Sequence, residues 1–279
     1  MWWSGAWTVS DDAAIEVPAE LERLGFSALW STGGFRPGIP SRFRRLLEST
    51  QHVVVATGIT NVWLAPPERV AREAAALEVE FPNRFLLGLG ASHANVVAEY
   101  ERPLTTVATF LDGLDESDPS VPETSRVLAA LGPRMLELAG SRSLGAHPYF
   151  VPVEHTAWAR EKLGPGPLLA PELTVVVEED PFEARCKARE FAVRYLALPN
   201  YARNLQRFGF TEEDVAHAGS DRLIDAVVAW GSPDQVARRV RDHLEAGADH
   251  VCIQVVSDLE HFPLDTYRAL AGELCRPIG

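Results

Sequence analysis

A glycine-rich segment from Gly88 to His93, with the sequence GLGASH, follows an apolar run that has the composition of a strand. Glycines at the end of a strand allow either a close ligand approach or tight backbone packing. The third glycine of a dinucleotide fingerprint is missing and His93 stands in its place, which argues against a Rossmann pyrophosphate turn. His93 is a candidate acid–base group, because a histidine exchanges protons near neutral pH.

Two further strand ends carry residues suited to ligand binding. The segment from Ala56 to Asn61 begins at the end of an apolar run and ends in small polar residues. The segment from Leu128 to Met135 passes directly from a strand into a helix whose first turn contains Pro133 and Arg134. Free N–H groups at a helix start, with an arginine beside them, favour a phosphate. An ordinary strand-to-helix turn is the alternative interpretation.

Other kinds of site lack their residue patterns. His147 and His155 have no third ligand nearby, and no H-E-x-x-H pattern occurs, so no metal site is predicted. Ser92 is not part of a G-x-S-x-G elbow, which argues against a hydrolase triad. A disulfide framework or zinc cage is equally unexpected, because the cysteines are widely spaced and form no C-x-x-C pair: Cys186, Cys252 and Cys275.

Composition limits the partners. The 279 residues include 39 acidic and 26 basic ones, which gives a formal net charge of −13. Such a charge disfavours nucleic acids and anionic lipids. No apolar stretch approaches the roughly 20 residues of a membrane span, and no signal-peptide pattern is present. We therefore predict a cytoplasmic protein that acts on a small molecule, without nucleic-acid or membrane partners.

Strand-like runs alternate with helical patterns along the chain. Many of these runs are apolar on both faces, which is typical of parallel strands covered by helices. Including two weaker candidates, they number about eight, the strand count of a closed parallel barrel. We predict an α/β fold, a (β/α)8 TIM barrel built as a single domain over residues 1–279. The runs lie at residues 6–9, 27–31, 52–56, 85–89, 127–131, 144–149, 173–177 and 251–256.

Residues 181–231 depart from this alternation and carry a mostly helical pattern, which predicts a helical insertion before the last strand. Active-site lids of barrels are built from such connections. Four side chains of the insertion are therefore predicted to contact substrate: Tyr195, Asn200, Tyr201 and Asn204. The alternative is that the two tyrosines only attach the insertion to the barrel.

Four stretches, residues 81–90, 131–139, 145–149 and 248–255, together with the strand order, resemble the luciferase-like flavin and deazaflavin oxidoreductases. The match is closest to the actinobacterial enzymes that use the deazaflavin coenzyme F420, and it covers nearly the whole chain. It implies a homodimeric oxidoreductase that transfers hydride between F420 and a small organic substrate. The alternatives are an FMN-dependent monooxygenase of the same fold and an inactive barrel that only binds a cofactor or ligand.

The resemblance also implies roles for individual positions. In relatives the third strand ends in a bulge with a non-prolyl cis peptide behind the cofactor ring, and Gly58-Ile59 matches it. Thr57 and Asn61 flank this bulge. The loop after the fourth strand and the phosphate turn match the remaining cofactor positions: Ala91, Ser92, Ala130, Leu131, Gly132, Pro133 and Arg134.

This sequence departs from the family pattern at the proton donor. Some relatives place a histidine or an acid after the second strand and a glutamate after the fourth. The corresponding residues here are 30–34 and 92–94, which read WSTGG and SHA, so His93 is the predicted catalytic residue. A basic run could also meet an anionic cofactor tail, although a solvated helix face is the more frequent reason for such a run. Its members are Arg36, Arg42, Arg44 and Arg45.

Overall fold

A computed structural model describes residues 1–3, 11–33, 37–93, 100–257 and 262–275. The chain forms two compact units, Met1–His147 and Pro148–Gly279. The strand predicted at residues 6–9 lies outside the described residues. Within the described part of the chain, no helix is both long enough and apolar enough to span a bilayer.

The first unit alternates parallel strands with helices. Its sheet has the order β1-β2-β3-β5-β6-β7, and β4 pairs with β5. The elements are β1 (Trp2–Trp3), α1 (Asp11–Arg23), β2 (Ala28–Ser31), α2 (Arg42–Glu48), β3 (Val54–Thr57), β4 (Thr60–Asn61), α3 (Pro67–Glu80), β5 (Phe85–Gly90), α4 (Pro103–Glu116), β6 (Arg126–Leu128), α5 (Pro133–Arg142) and β7 (Gly145–Ala146).

Helix α3 shows how the sequence specifies these elements. It begins with Pro67, and Glu68 lies in its first turn, where an acid interacts favourably with the helix dipole. Val70, Ala74 and Leu77 are buried along one face of the helix, as their spacing predicts. The strands need no such alternation, since every residue of β5 is buried.

The sheet of the first unit curls strongly toward one face. The rings of Trp30, in β2, and His147, directly after β7, stack with centroids 4.1 Å apart and planes 13° apart. Three strands, β3, β5 and β6, lie between β2 and β7. In a flat sheet these rings would be about 19 Å apart, since neighbouring strands are about 4.8 Å apart. The face that carries Trp30 and His147 is therefore concave, and helices cover the other face.

The second unit contains a three-stranded parallel sheet with the order β10-β9-β11. Its elements are α6 (Val153–Leu163), β8 (Leu168–Leu169), β9 (Glu172–Val177), α7 (Pro181–Leu196), α8 (Pro199–Arg207), α9 (Glu212–Val215), α10 (Asp221–Val227), β10 (Val228–Gly231), α11 (Pro233–Glu245), β11 (Cys252–Val255) and α12 (Leu264–Leu274).

The structure does not confirm a helical insertion directly before the last strand. Helices α7 to α10 occupy most of residues 181–227, but residues 228–231 form β10, which pairs with β9. The stretch therefore precedes the last two strands of the chain. Val228 both caps α10 and begins β10, so no turn residue marks this boundary in the sequence.

The parallel α/β class is confirmed in both units. The sheet of the second unit does not follow chain order, because β10 and β11 flank β9 on opposite sides. In a barrel with consecutive strand order, β11 would pair with β10. For this sheet, the parallel direction of the strands agrees with the predicted (β/α)8 barrel, whereas the order of the strands differs from that of such a barrel.

Glu172 is an acid buried at the start of β9. The residue is 1% exposed, and its carboxyl accepts hydrogen bonds from Thr174 Oγ1 at 2.7 Å and from the Phe150 amide at 3.2 Å. Burial raises the pKa of Glu172 to about 8. The side chain is therefore uncharged at neutral pH, and no described residue forms an ion pair with it.

We expect Glu172→Gln to reduce the pH dependence of the unfolding free energy. The raised pKa, against an ordinary 4.5, stabilises the fold below pH 4.5, and this contribution is lost as the pH rises toward 8. Burial lowers the pKa of His243 from 6.5 to about 4, so His243 changes the pH dependence of the unfolding free energy only below pH 6.5. Between pH 6.5 and 8, wild type should lose about 2 kcal/mol more than the variant.

Urea unfolding at pH 6.5 and pH 8 measures this difference. The glutamine amide can keep both hydrogen bonds, so the variant should fold. Glu178→Gln is the matched control, because Glu178 pairs with Lys187 at the surface and should leave the wild-type pH dependence unchanged. Identical pH dependence in wild type and Glu172→Gln would contradict the assignment of a neutral buried acid.

Candidate active site

The predicted bulge lies between β3 and β4. The peptide that joins Gly58 to Ile59 is cis, as the family resemblance implies. The Gly58 amide donates to the Ser31 carbonyl at 2.7 Å, and the Ile59 carbonyl accepts from the Gly33 amide at 3.1 Å. Backbone hydrogen bonds therefore join the bulge to the end of β2.

The strands beside the bulge accommodate it with glycine. A Cβ on Gly88 would lie 1.8 Å from the Thr57 carbonyl oxygen, and a Cβ on Gly33 would lie 2.4 Å from that of Ile59. The Thr57 hydroxyl also donates to the Gly88 carbonyl at 2.7 Å. Any side chain at Gly33 or Gly88 would displace the backbone of the bulge.

Three predicted segments meet at this edge of the sheet. A Cβ on Gly90 would lie 3.0 Å from both Ile59 Cγ1 and Ala129 Cβ. Gly90 is the last residue of β5 and precedes the predicted loop, and Ala129 precedes the predicted phosphate turn. The structure thus places these candidates at neighbouring strand ends of one unit: Thr57, Gly58, Ile59, Asn61, Ala91, Ser92, His93, Ala130, Leu131, Gly132, Pro133 and Arg134.

Trp63 connects two of these candidates, and sequence reasoning missed it. Its backbone amide donates to Asn61 Oδ1 at 3.1 Å, and its indole Nε1 donates to the Ala91 carbonyl at 2.8 Å. Its ring packs against Tyr100 with centroids 5.8 Å apart. The only signal in the sequence is a tryptophan shortly after a polar strand end, which does not reveal either bond.

His93 follows a sharp change of chain direction. Ser92 has a left-handed backbone with φ of 57°, a conformation that favours turns. His93 itself is half-buried, and Nδ1 of its ring is buried. It is the last described residue before residue 100.

The predicted phosphate turn leads into α5. Gly132 is the N-cap in an extended conformation, and no side chain caps the helix. A Cβ on Gly132 would meet nothing within 4 Å, so the space beside it is open. The Arg134 side chain is exposed, and the first-turn amides of α5 have no partner within the helix. This arrangement suits an anion.

The four predicted substrate contacts lie in the second unit, on α7 and α8. The Tyr149 hydroxyl donates to Gln254 Oε1 at 2.6 Å and lies 2.9 Å from the Tyr195 hydroxyl. Tyr195 must therefore donate to Tyr149. Burial raises the pKa of both phenols, which keeps their protons in place. Sequence reasoning missed Tyr149 and Gln254.

The other three residues differ in exposure. The rings of Tyr195 and Tyr201 pack edge to face with centroids 5.5 Å apart. Tyr201 is 6% exposed and Asn204 is 3% exposed, whereas Asn200 is half-buried. Tyr195 and Asn200 therefore retain more accessible surface than Tyr201 and Asn204 do.

Similar proteins identify the family of the chain. The family model described as luciferase-like monooxygenase matches residues 9–117 and 116–250. A 5,10-methylenetetrahydromethanopterin reductase from Methanolobus tindarius is 24% identical over 281 residues, which cover 82% of this chain and 86% of that protein.

Two solved structures show the same fold at low identity. The coenzyme F420-dependent tetrahydromethanopterin reductase from Methanopyrus kandleri has a TM-score of 0.74 at 17% identity, covering 99% of this chain and 97% of its own. The oxygenating constituent of 3,6-diketocamphane monooxygenase from Pseudomonas putida, in complex with FMN, has a TM-score of 0.66 at 15% identity, covering 98% and 97%. Since the family model spans most of the sequence, the chain belongs to the luciferase-like monooxygenase family of oxidoreductases.

Proposed function

We propose that this protein transfers hydride between coenzyme F420 and a small organic substrate. The observation that carries the proposal is the bulge at Gly58 and Ile59, whose backbone packs against Gly33 and Gly88 so closely that a side chain at either glycine would collide with it. The Methanopyrus kandleri neighbour is named as F420-dependent and the Methanolobus tindarius relative as a reductase, which supports this choice of cofactor. A closed (β/α)8 barrel, a single domain, a homodimer and a cytoplasmic location belong to the same proposal by family resemblance.

The residues present fit such a cofactor. The open space beside Gly132 and the uncapped first turn of α5 can take a phosphate, with Arg134 as a cation beside it. The flat ring would lie against the bulge at Gly58 and Ile59, which can pack closely on β5 because Gly88 and Gly90 have no side chains. When bound, F420 supplies a deazaflavin ring that accepts or donates hydride.

Thr57, Asn61, Ala91 and Ser92 have positioning roles within the proposal. Thr57 fixes the bulge through its bond to Gly88, and Asn61 is fixed by the amide of Trp63. Ala91 and Ser92 form the wall that the Trp63 indole holds in place. Together these contacts would orient the ring and exclude water from one side of it.

His93 is proposed to hold the proton of the reaction at an imidazole nitrogen. Hydride addition to a polarised double bond also requires a proton, and a partly accessible histidine can take it from water and deliver it. In the reverse direction the same nitrogen would accept a proton from an alcohol. His93 follows β5 on the loop whose Ala91 carbonyl is held by Trp63.

An FMN-dependent monooxygenase is the second candidate function. The observation that favours it is the FMN complex among the structures of the same fold. FMN also carries a phosphate, so the turn at Gly132 does not discriminate between the two cofactors. Direct titration of both cofactors does.

We expect F420 to quench tryptophan fluorescence and to bind more tightly than FMN. Arg134→Glu should weaken F420 binding by roughly 1–3 kcal/mol, the range for hydrogen bonds to charged groups. Arg23→Glu is the matched control, because Arg23 is an exposed arginine at the end of α1 in the same unit. Tighter binding of FMN would favour the monooxygenase, and an unchanged dissociation constant for Arg134→Glu would remove the phosphate contact.

His93→Ala should lower the turnover number by roughly 10²–10⁴-fold while cofactor affinity stays nearly intact. The reason is that a proton donor acts in the transition state and contributes little to binding of the ring. Steady-state turnover across pH, measured beside an F420 titration, separates the two quantities. A wild-type rate would refute the assignment, and a modest parallel fall in rate and affinity would indicate that His93 only shapes the loop.

Tyr195→Phe should raise the KM for an accepted substrate several-fold, about 1 kcal/mol for one hydrogen bond, without changing the F420 dissociation constant. The variant keeps the ring and removes the hydroxyl that bonds Tyr149. Tyr201→Phe serves as the control because Tyr201 is buried. If Tyr195→Phe lowers only the unfolding temperature and leaves the kinetics unchanged, the tyrosines serve packing alone.

A further inference from the structure

Three buried polar atoms near the end of β2 have no hydrogen-bond partner among the residues that the structure describes. They are the Ser31 hydroxyl, the Thr60 hydroxyl and Nε of Arg42. Ser31 is 0% exposed and Thr60 is 3% exposed. Buried polar groups are almost always bonded in native structures, so each unpaired atom calls for a reason.

The three atoms lie on one side of the sheet. Strand register and alternation place Ser31 of β2 and Thr60 of β4 on the same face as Phe85 of β5. Phe85 packs edge to face against Phe43 of α2 with centroids 6.1 Å apart. The Arg42 guanidinium lies 5.4 Å from the centroid of the Phe43 ring, so it extends along the same helix-covered side.

The segment between Ser31 and Gly33 connects these residues. Arg42 donates through Nη2 to the carbonyl of Thr32, which follows Ser31 directly. A Cβ on Gly33 would lie 2.8 Å from Thr60 Cα, so the two backbones are in contact. Ser31, Arg42 and Thr60 therefore all lie at the short segment from Ser31 to Gly33, beside the bulge.

Arg42 is a partly desolvated cation. Burial removes the guanidinium from water and thereby lowers the pKa of Arg42. The structure shows no ion pair to Arg42 within the described ranges, whereas Arg44 of the same helix pairs with Glu80. A charge removed from water without a counter-ion destabilises the fold unless a ligand compensates it.

We propose that Ser31, Arg42 and Thr60 form an anion-binding site for the carboxylate or phosphate group of a small molecule, distinct from the turn at Gly132. Arg42 Nε would donate a charge-assisted hydrogen bond, and the two hydroxyls would donate the others. Two molecules can bring such a group, a substrate and the acidic tail of the cofactor. The site consists only of residues of this chain, so it does not require the proposed function to be correct.

Anion binding to the cofactor-free protein tests the site directly. Inorganic phosphate and acetate are titrated by calorimetry, and the unfolding temperature is followed in the same buffers. Arg42→Met, which keeps an apolar stem against Phe43, should weaken anion binding roughly tenfold to hundredfold. Arg44→Met removes the same charge from the same helix and should bind as wild type. Arg134→Glu should also keep this site.

The hydroxyl variants carry a signature that a purely structural role would not produce. Ser31→Ala and Thr60→Val remove unpaired buried hydroxyls, so without anions they should unfold at the wild-type temperature or above it. With phosphate they should gain less stability than wild type does. Ser143→Ala is the control, because Ser143 Oγ lies 2.7 Å from the Ala139 carbonyl and 3.0 Å from that of Gly145. Ser143→Ala should unfold at a lower temperature than wild type does, and phosphate should stabilise it as much as it stabilises wild type.

Repeating the acetate titration with saturating F420, in wild type and in Arg42→Met, distinguishes the two sources. Loss of the acetate binding that depends on Arg42 supports a site filled by the cofactor tail, and its persistence supports a site that holds a substrate anion. Failure of F420 to bind would refute the proposed function and leave the cofactor-free result standing. Wild-type anion affinity in both Arg42→Met and Ser31→Ala, or no anion binding at all, overturns the proposed site.

Discussion

The candidate active site depends on the close approach of the Thr57 carbonyl to Gly88. With 1.8 Å between that oxygen and the position of a Cβ, no other residue type fits opposite the end of β3 without moving the backbone. Gly33, two residues after the end of β2, imposes the same condition. Because both neighbours lack a side chain, the chain can turn outward at Gly58 and return as β4, which brings Asn61 and Trp63 to the same edge as Ala91.

The curvature of the sheet brings the candidate residues of this edge close to one another. Parallel strands present all their carboxyl ends at one edge, and curling gathers those ends around the concave face. Stacking of Trp30 on His147 fills that face with large rings, whereas Gly90 stays small and lets Ile59 approach Ala129. The result is a packed interior beneath the edge at which the candidate residues lie.

Apolar runs in the sequence were sufficient to predict the longer strands, because buried parallel strands need no alternation. Strands of two to four residues were harder to predict: β4 carries only Thr60 and Asn61, and β10 follows α10 without a turn signal. The bulge was predicted from family resemblance, since nothing in the residue types of Gly58 and Ile59 specifies it. The bonds of Trp63 and the burial of Glu172 depend on tertiary distances that one sequence does not contain.

The buried, unpaired polar atoms of Ser31, Arg42 and Thr60 could not be predicted from the sequence either. The sequence shows four arginines near α2, and a solvated helix face explains such a run equally well. Only burial distinguishes Arg42, which is partly desolvated, from Arg44, which pairs with Glu80 at the surface. Nothing in the sequence distinguishes Ser31 and Thr60 from other hydroxyl residues. Only the strand register places them on the helix-covered side with Phe85.

Local donors must outweigh the overall charge of the chain if it binds an anionic cofactor. The formal net charge of −13 repels anions at long range, but salt screens that repulsion beyond about 8–10 Å. Within that distance, the first turn of α5 with Arg134 and the buried guanidinium of Arg42 act on a ligand directly, and burial weakens the screening. The net charge therefore affects the rate of encounter, whereas affinity is set by a few donors whose positions the strand ends determine.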